Sequence, residues 1–380
     1  MRCLVGFVLF LLALGTGCGE HLDECEKRGL DCNDRNECTW DGCQVLWCAH
    51  GPVEDATPCT GGLCLDGECV EFDDTLPCTE EGIRLAIAVG GGPHTFDCDS
   101  STTVVTQAEI EVDNDVILDG EGNLIVESSS SGRPVFSVRG VTAELMGMIV
   151  TGGTSGIQTS GTLTLTNSTV SGSRGSGIHA SGTLTVTNST VSGNSETGIA
   201  NSGTMVMTNS TVSGNSRNGI TNFGTLTVTN STVSGNSETG VISNGTTMAM
   251  TNCTVSGNSG GSIAANGGTS TLTGTIVDGD CTSTSPDTLV SYGYNIESPG
   301  NTCGFDQTGD QSGVSADDLK LGGLADNGGP TATHALEGTV GVDVIPEAEC
   351  LDAEGVALTT DQRGFPRDSM CDVGAFEAQP

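Results

Sequence analysis

Basic residues, aromatics and long apolar runs are all scarce in this chain. Twelve Lys and Arg stand against 48 Asp and Glu in 380 residues, a formal charge of -36. That balance argues against nucleic acid or anionic lipid as a partner, because both need basic surface. With nine Phe, two Trp and two Tyr, the chain has few bulky groups to fill a round core or stack on sugar rings, so an ordinary globular enzyme domain fits poorly. The single strongly apolar run, Leu4–Leu14 (LVGFVLFLLAL), is too short to span a bilayer. CxxC pairs are absent as well, and only two imidazoles, His21 and His50, lie near the N-terminal cysteines, which disfavours a structural zinc site.

Glycine (57) and cysteine (17) are abundant instead. Clustered cysteines in such number point to disulfides and an oxidising compartment. Arg2, the apolar run and the small residues GTGC form a secretory signal over residues 1–17. The signal resembles that of bacterial lipoproteins, which implies lipidation of Cys18 and a membrane contact made only through that lipid. Residues 18–72 follow as a disulfide module. Eight cysteines there (Cys25, Cys32, Cys38, Cys43, Cys48, Cys59, Cys64 and Cys69) have few large apolar neighbours and must be stapled; their 105 pairings stay open. The run resembles the small cysteine-rich repeats of large bacterial surface proteins.

Self-similarity at 21 residues sets the fold. From Thr162 the chain reads TLTLTNSTVSGSRGSGIHASG, TLTVTNSTVSGNSETGIANSG, TMVMTNSTVSGNSRNGITNFG and TLTVTNSTVSGNSETGVISNG, then TTMAMTNCTVSGNSGGSIAANG with one residue inserted. Apolar residues alternate with period two and are broken by turns, which excludes helix. Three short strands and three bends per 21 residues make one coil of an all-β, single-stranded parallel solenoid, right-handed by the crossover rule. Coils spaced by roughly 4.8 Å stack equivalent positions in files. About nine coils are expected over residues 101–280, with the repeats at 162–267.

Four files form the expected core: Leu163, Leu184, Met205, Leu226 and Met248; Leu165, Val186, Met207, Val228 and Met250; Val170, Val191, Val212, Val233 and Val255; Ile178, Ile199, Ile220, Val241 and Ile263. Gly161, Gly182, Gly203, Gly224 and Gly245 recur where a bend is expected to need positive φ. Asn167, Asn188, Asn209, Asn230 and Asn252 open the repeated NST, a glycosylation sequon in the right host; the reading adopted is a structural ladder in which each amide bonds the next.

A solenoid must cap its ends. Residues 73–100 read as an N-terminal cap, a short helix enclosed by a Cys78 to Cys98 bridge, and residues 281–380 as a C-terminal cap. Within the latter, SYGYNIESPGNTC, LGGLADNGGPTATHAL and TDQRGFPRDSMCDVGAFE resemble the signature of bacterial surface proteins called choice-of-anchor Q domain proteins. The likeness implies a β-helix similar to polymorphic outer-membrane proteins and pectate lyase-like folds, with GTVGVDVIP departing from the pattern. His334 and Arg363 fall in these motifs and read as hydrogen-bonding residues of the cap. The remaining cysteines suggest Cys281 with Cys303 and Cys350 with Cys371, each worth roughly 3 kcal/mol in the chain-entropy model. Cys253, which replaces the Ser of NST, is left as a free thiol.

Catalytic signals are weak. The repeats carry no Asp where polysaccharide-cleaving β-helices carry carboxylates. Asp113, Asp115 and Asp119, with Glu121, are the nearest carboxylate cluster and a weak calcium candidate; otherwise no metal or cofactor is expected. Ser259 in a G-x-S-x-G match is the repeat's own Ser, and His179 is a lone surface substitution. These observations favour a non-enzymatic protein of a bacterial cell surface or outer membrane, displaying Thr, Ser and Asn faces to glycans or envelope proteins. A carbohydrate-active lyase or hydrolase and a structural spacer are the alternatives.

Overall fold

The computed structural model describes residues 33–44, 47–53, 57–59, 62–65, 67–71, 75–129, 132–284 and 288–379. Two compact units divide the chain, residues 1–73 and 74–380. In the first, Thr39–Gln44 pairs with Trp47–Pro52 in an antiparallel hairpin, and Pro58–Cys59, Gly62–Leu65 and Glu68–Glu71 form a small antiparallel sheet. Disulfides join Cys38 to Cys64 and Cys59 to Cys69, and Cys48 is bonded too. Cys18, Cys25, Cys32 and the side chain of Cys43 lie outside the described residues.

The second unit is a parallel β-solenoid of about ten coils. Its first coil begins before residue 101, because Thr75–Pro77 and Gly91–Asp97 already pair in parallel within the large sheet. Between them lies the helix Glu80–Val89, started by the Thr79 side chain, which accepts from the Gly82 N–H, and stopped at Gly90 with φ 71°. Its buried face, Ile83, Leu85, Ala86 and Ile87, plugs this end, and the Cys78–Cys98 bridge brackets it.

Each repeat supplies three strands, for example Thr162–Thr166, Thr169–Ser171 and Ile178–Ala180, and each pairs residue for residue with its counterpart 21 positions on. All four apolar files are buried to 1% exposure or less. Alternation explains the outer surface: Thr162, Thr164 and Thr166 lie on the opposite side of the strand from Leu163 and Leu165.

The turn chemistry differs from the sequence reading in two ways. Gly161, Gly182, Gly203 and Gly224 do not adopt positive φ; that role falls to Gly172, Gly193, Gly214, Gly235 and Gly257. The first set is glycine because the coils touch there: a Cβ on Gly203 would run into the carbonyl oxygen of Gly182. Nor do the amides of Asn167, Asn188, Asn209, Asn230 and Asn252 bond one another. These five hold left-handed backbone, φ 46–51°, which Asn tolerates. The amide ladder runs instead through Asn194, Asn215, Asn236 and Asn258, where Nδ2 of each donates to Oδ1 of the next at 2.8–2.9 Å. The physical reason is burial. Asn194, Asn215 and Asn236 are fully enclosed, so their amides must find partners in the neighbouring coils, whereas Asn167 is exposed to water and the buried Asn230 and Asn252 donate to the Thr360 and Asp372 carbonyls.

A second ladder runs through the Ser of NST. Each Ser N–H donates to the next Ser Oγ, Ser168 to Ser189, Ser189 to Ser210 and Ser210 to Ser231, all at 3.1 Å. Cys253 extends this file, its Sγ donating to the Thr251 carbonyl at 3.2 Å.

The C-terminal region does more than close the end. An apolar cluster of Ile276, Tyr294, Ile296, Leu319, Leu336, Ile345 and Val373, stapled by Cys350–Cys371, covers the last coil, and Cys281–Cys303 ties the loop beside it. Beyond that cluster the chain folds back as an arm along the NST turns. Thr331 Oγ1 donates to the Asn209 carbonyl at 3.0 Å, Asn230 Nδ2 to the Thr360 carbonyl at 2.9 Å and Thr232 Oγ1 to Gln362 Oε1 at 2.6 Å. Arg367, almost fully buried, pairs with Glu377 at 2.8 Å and donates to Asn230 Oδ1 at 3.0 Å. His334 Nδ1 sits 2.6 Å from the Gly322 carbonyl and Nε2 sits 2.8 Å from Ser234 Oγ, which fits a neutral ring that donates from Nδ1 and accepts at Nε2.

Asn215→Ala leaves the backbone N–H of Asn194 without its acceptor and its Nδ2 with only the Val170 carbonyl at 3.4 Å. It is expected to destabilise by about 3 kcal/mol, against about 1 kcal/mol for Asn167→Ala, where only left-handed strain is added; equal urea midpoints would refute the buried ladder. Burial depresses the His334 pKa, outweighing the Gly322 carbonyl and the charge of Asp278. The unfolded chain therefore binds the extra proton first, and arm stability, complete above the ordinary histidine pKa, declines as pH falls through about 6.5. Burial raises the pKa of Asp372 and Glu377; these carboxylates act in the opposite sense at lower pH. Hydrogen exchange over residues 333–336, corrected for intrinsic rates, is expected to quicken between pH 7.5 and 5.5 in the wild type and not in His334→Gln.

Candidate functional site

Most residues singled out by the sequence are committed to structure. Asp115 Oδ1 accepts from the Thr142 N–H at 2.7 Å, and Asp119 Oδ1 accepts from the N–H of Glu121, itself at φ 50°. With Asp113 exposed on the preceding turn, the three carboxylates do not converge, and they are not among the groups of described residues whose donors could share an ion. Each carboxylate tied to the backbone serves a different turn.

The donor groups that do converge lie in the N-terminal unit. Cys38, Cys59 and Cys64 are accounted for by two disulfides. Asp34, Asp41 and His50 meet because Asp41 and His50 face each other across the hairpin. His50 Nδ1 lies 2.6 Å from Asp41 Oδ1 and 3.5 Å from Asp34 Oδ2, and the shorter contact is a hydrogen bond. Asp34 is held below the usual carboxylate range, first by the Asn36 N–H and then by Thr39.

Ser259 and His179 are exposed, and Ser259 lies in a turn that leads into the strand Ile263–Thr273, so no nucleophile elbow forms. Arg363 lies in the arm, paired with Asp361 at 2.7 Å and stacked on Phe376 at 3.6 Å from the ring centre.

One groove remains unassigned by the repeat, and sequence reasoning missed it. It opens at the C-terminal end of the solenoid, on the face carrying the Thr columns, and has a volume of about 530 Å³. Ala249, Thr251, Thr271 and Thr273 form its floor; Tyr292 and Tyr294, both tyrosines of the chain, form one side; Glu349, Leu351 and Asp352 form the other. The geometry follows from the failing repeat. The strand Leu289–Ser291 pairs with Ser270–Leu272, and the chain then turns sharply at Tyr294, φ 60°. Opposite, Cys350–Cys371 fixes the overhanging loop, and Asp352 Oδ1 accepts from Glu354 and Val356 N–H groups at 3.0 and 2.7 Å.

Tyr292 stands 68% exposed, while Tyr294 is buried to 8%. Burial, then the hydrogen bond to Glu349 and its charge, push the Tyr294 hydroxyl above the ordinary phenol value. No Lys, Arg or His lines the groove. A wide open aromatic face beside hydroxyls and carboxylate acceptors suits a ring with one apolar face and polar edges. The only sequence signal was the SYGYN cluster in a chain otherwise without tyrosine.

Comparisons with known proteins accord with the fold. The family described as "Right handed beta helix region" matches residues 138–279, and the solenoid is a right-handed parallel β-helix. A curated relative, Protein psiN of Dictyostelium discoideum, is 34% identical over 65 residues, 15% of this chain and 9% of its own length. The chain thus spans under a tenth of the relative it matches. Among solved structures, the pectate lyase Pel9A is similar over 77% of this chain and 90% of its own, at 14% identity and TM-score 0.40. The A-module of the mannuronan C-5 epimerase AlgE6 of Azotobacter vinelandii is similar over 61% and 88%, at 14% identity and TM-score 0.35.

Burial pushes the Cys253 thiol up to about 12, outweighing its backbone hydrogen bonds. The folded chain is expected to resist iodoacetamide at pH 8 for hours, and the unfolded chain to label within minutes at Cys253. Rapid labelling of the native protein at this residue would show that it does not continue the Ser ladder.

Proposed function

We propose that this chain is a secreted surface protein that binds glycans without altering them, through the groove between Tyr292 and the Glu349–Asp352 loop. The observation that carries this reading is the placement of both tyrosines at one groove of a molecule otherwise poor in aromatics. The coil interior admits an aromatic only where it is fully enclosed, as Phe136 is in the file of Ile157 and Ile178; Tyr292, exposed by 68%, needs a reason other than packing, and a sugar ring supplies one. The Thr columns extend the same face along the solenoid and offer alternating donors and acceptors to a long chain.

The groove's chemistry supports binding over catalysis. A lyase or epimerase must take a proton from carbon and neutralise the charge that develops. Here the lining has no cation, Asp352 Oδ1 is occupied by two backbone N–H groups, and Glu349 is engaged by Tyr294. Extracellular residence is supported by the five described disulfides, which persist in oxidising compartments. Attachment through a lipid on Cys18, with glycans or envelope proteins as neighbours, belongs to this proposal. Among the described residues no helix is long and apolar enough to cross a membrane.

Tyr292→Ala is expected to weaken binding of the purified chain to its glycan about tenfold or more while leaving the melting temperature unchanged, because the ring is mostly in water. Calorimetry against polysaccharides checks this. Unaltered affinity would sink the groove as the site, and release of new reducing or unsaturated ends from the bound glycan would favour an enzyme.

A further inference from the structure

The groove also has a charge. Glu349 and Asp352 line it, Glu347 and Glu354 flank them in the same loop, and no cationic side chain is among the lining residues. The arginines of the adjoining arm cannot serve: Arg363 is paired with Asp361 and Arg367 with Glu377, both pairs almost fully buried. The chain as a whole carries -36.

From this we infer that the groove takes a polymer of amino sugars bearing protonated amines, and that it rejects uronate chains. The inference rests on the glycan-binding reading above. An ammonium on the sugar finds three partners here. The open face of Tyr292 attracts a cation through its ring quadrupole. Asp352 has Oδ1 filled by backbone N–H groups, which leaves Oδ2 for a charge-assisted hydrogen bond. Glu349 adds a second negative charge on the same side. A polyuronate of equal length would repeat a carboxylate along this wall with no cation to receive it, and like-charge juxtaposition is the repulsive half of specificity. The same sugar backbone with its amines acetylated keeps the stacking contact and loses the ion pairs. Selectivity among glycans is thus set by charge, while Tyr292 sets affinity for the ring.

Titration calorimetry of the full chain at pH 6 with three oligosaccharides of matched length tests this: chitosan, chitin and oligogalacturonate. Chitosan is expected to bind at least tenfold tighter than chitin, to lose most of that margin between 50 and 300 mM salt, and oligogalacturonate to give no heat. Glu349→Gln/Asp352→Asn, which keeps the Oδ1 acceptor of the loop, is expected to bring chitosan down to the affinity of chitin. Asp317→Asn/Asp318→Asn, in a separate acidic recess, controls for bulk attraction of a polycation to an acidic protein and is expected to change nothing. Equal losses in the two double variants, chitin binding as well as chitosan, or measurable binding of oligogalacturonate would each overturn the charge inference and leave the groove as a glycan site. Absence of heat with all three sugars, with the chain folded by circular dichroism, would overturn the glycan-binding reading and this inference with it.

Discussion

Along the strands, the backbone N–H and C=O groups of a coil bond the coils before and after it, so a residue's nearest neighbour across the strand is its own equivalent 21 positions away. This constraint governs the rest. A side chain can be used only if it packs or bonds with a copy of itself at the strand spacing. Valine, leucine, isoleucine and methionine do so by stacking; asparagine does so by donating its amide to one copy and accepting from the other, and serine by accepting at Oγ from the backbone N–H of the preceding copy. Charged side chains repel their own copies, and the repeat block is accordingly almost free of them while acidic residues gather in the flanks.

The same constraint explains where the chain can hold a site. A uniform file is repetitive and offers nothing distinctive, so chemistry appears where the repeat breaks. Asn230 and Asn252 show the first kind of break: they keep the turn conformation of Asn167, but their amides reach the carbonyls of Thr360 and Asp372 in the arm. The groove is the second. It forms only because the last coil is diverted at Tyr294 and a loop from more than fifty residues away, Ala348–Ala353, hangs beside it.

The fold was legible because the 21-residue period repeats its own answer five times: any wrong register would expose four apolar files at once. What could not be read was which of several repeated polar positions is buried. One copy holds Asn188, Asn194 and Asn201, and composition alone does not say that the last two are fully enclosed. Gly161 and Gly172 present the same ambiguity, one demanded by contact between coils and the other by backbone angle. The groove lay further out of reach, since Thr251, Tyr292 and Asp352 are joined only by tertiary packing. The arm was visible as motifs, but its partners, Asn209 to Thr254, are over 100 residues away.

The arm alters how the molecule carries mechanical load. A bare stack of coils peels from its end one turn at a time, because each turn is held only by the next. Here Thr331, Gln362, Arg367 and Ala375 are fastened across successive turns from Asn209 to Thr254. A tug on the carboxyl terminus is therefore shared in shear among several turns instead of opening the outermost one.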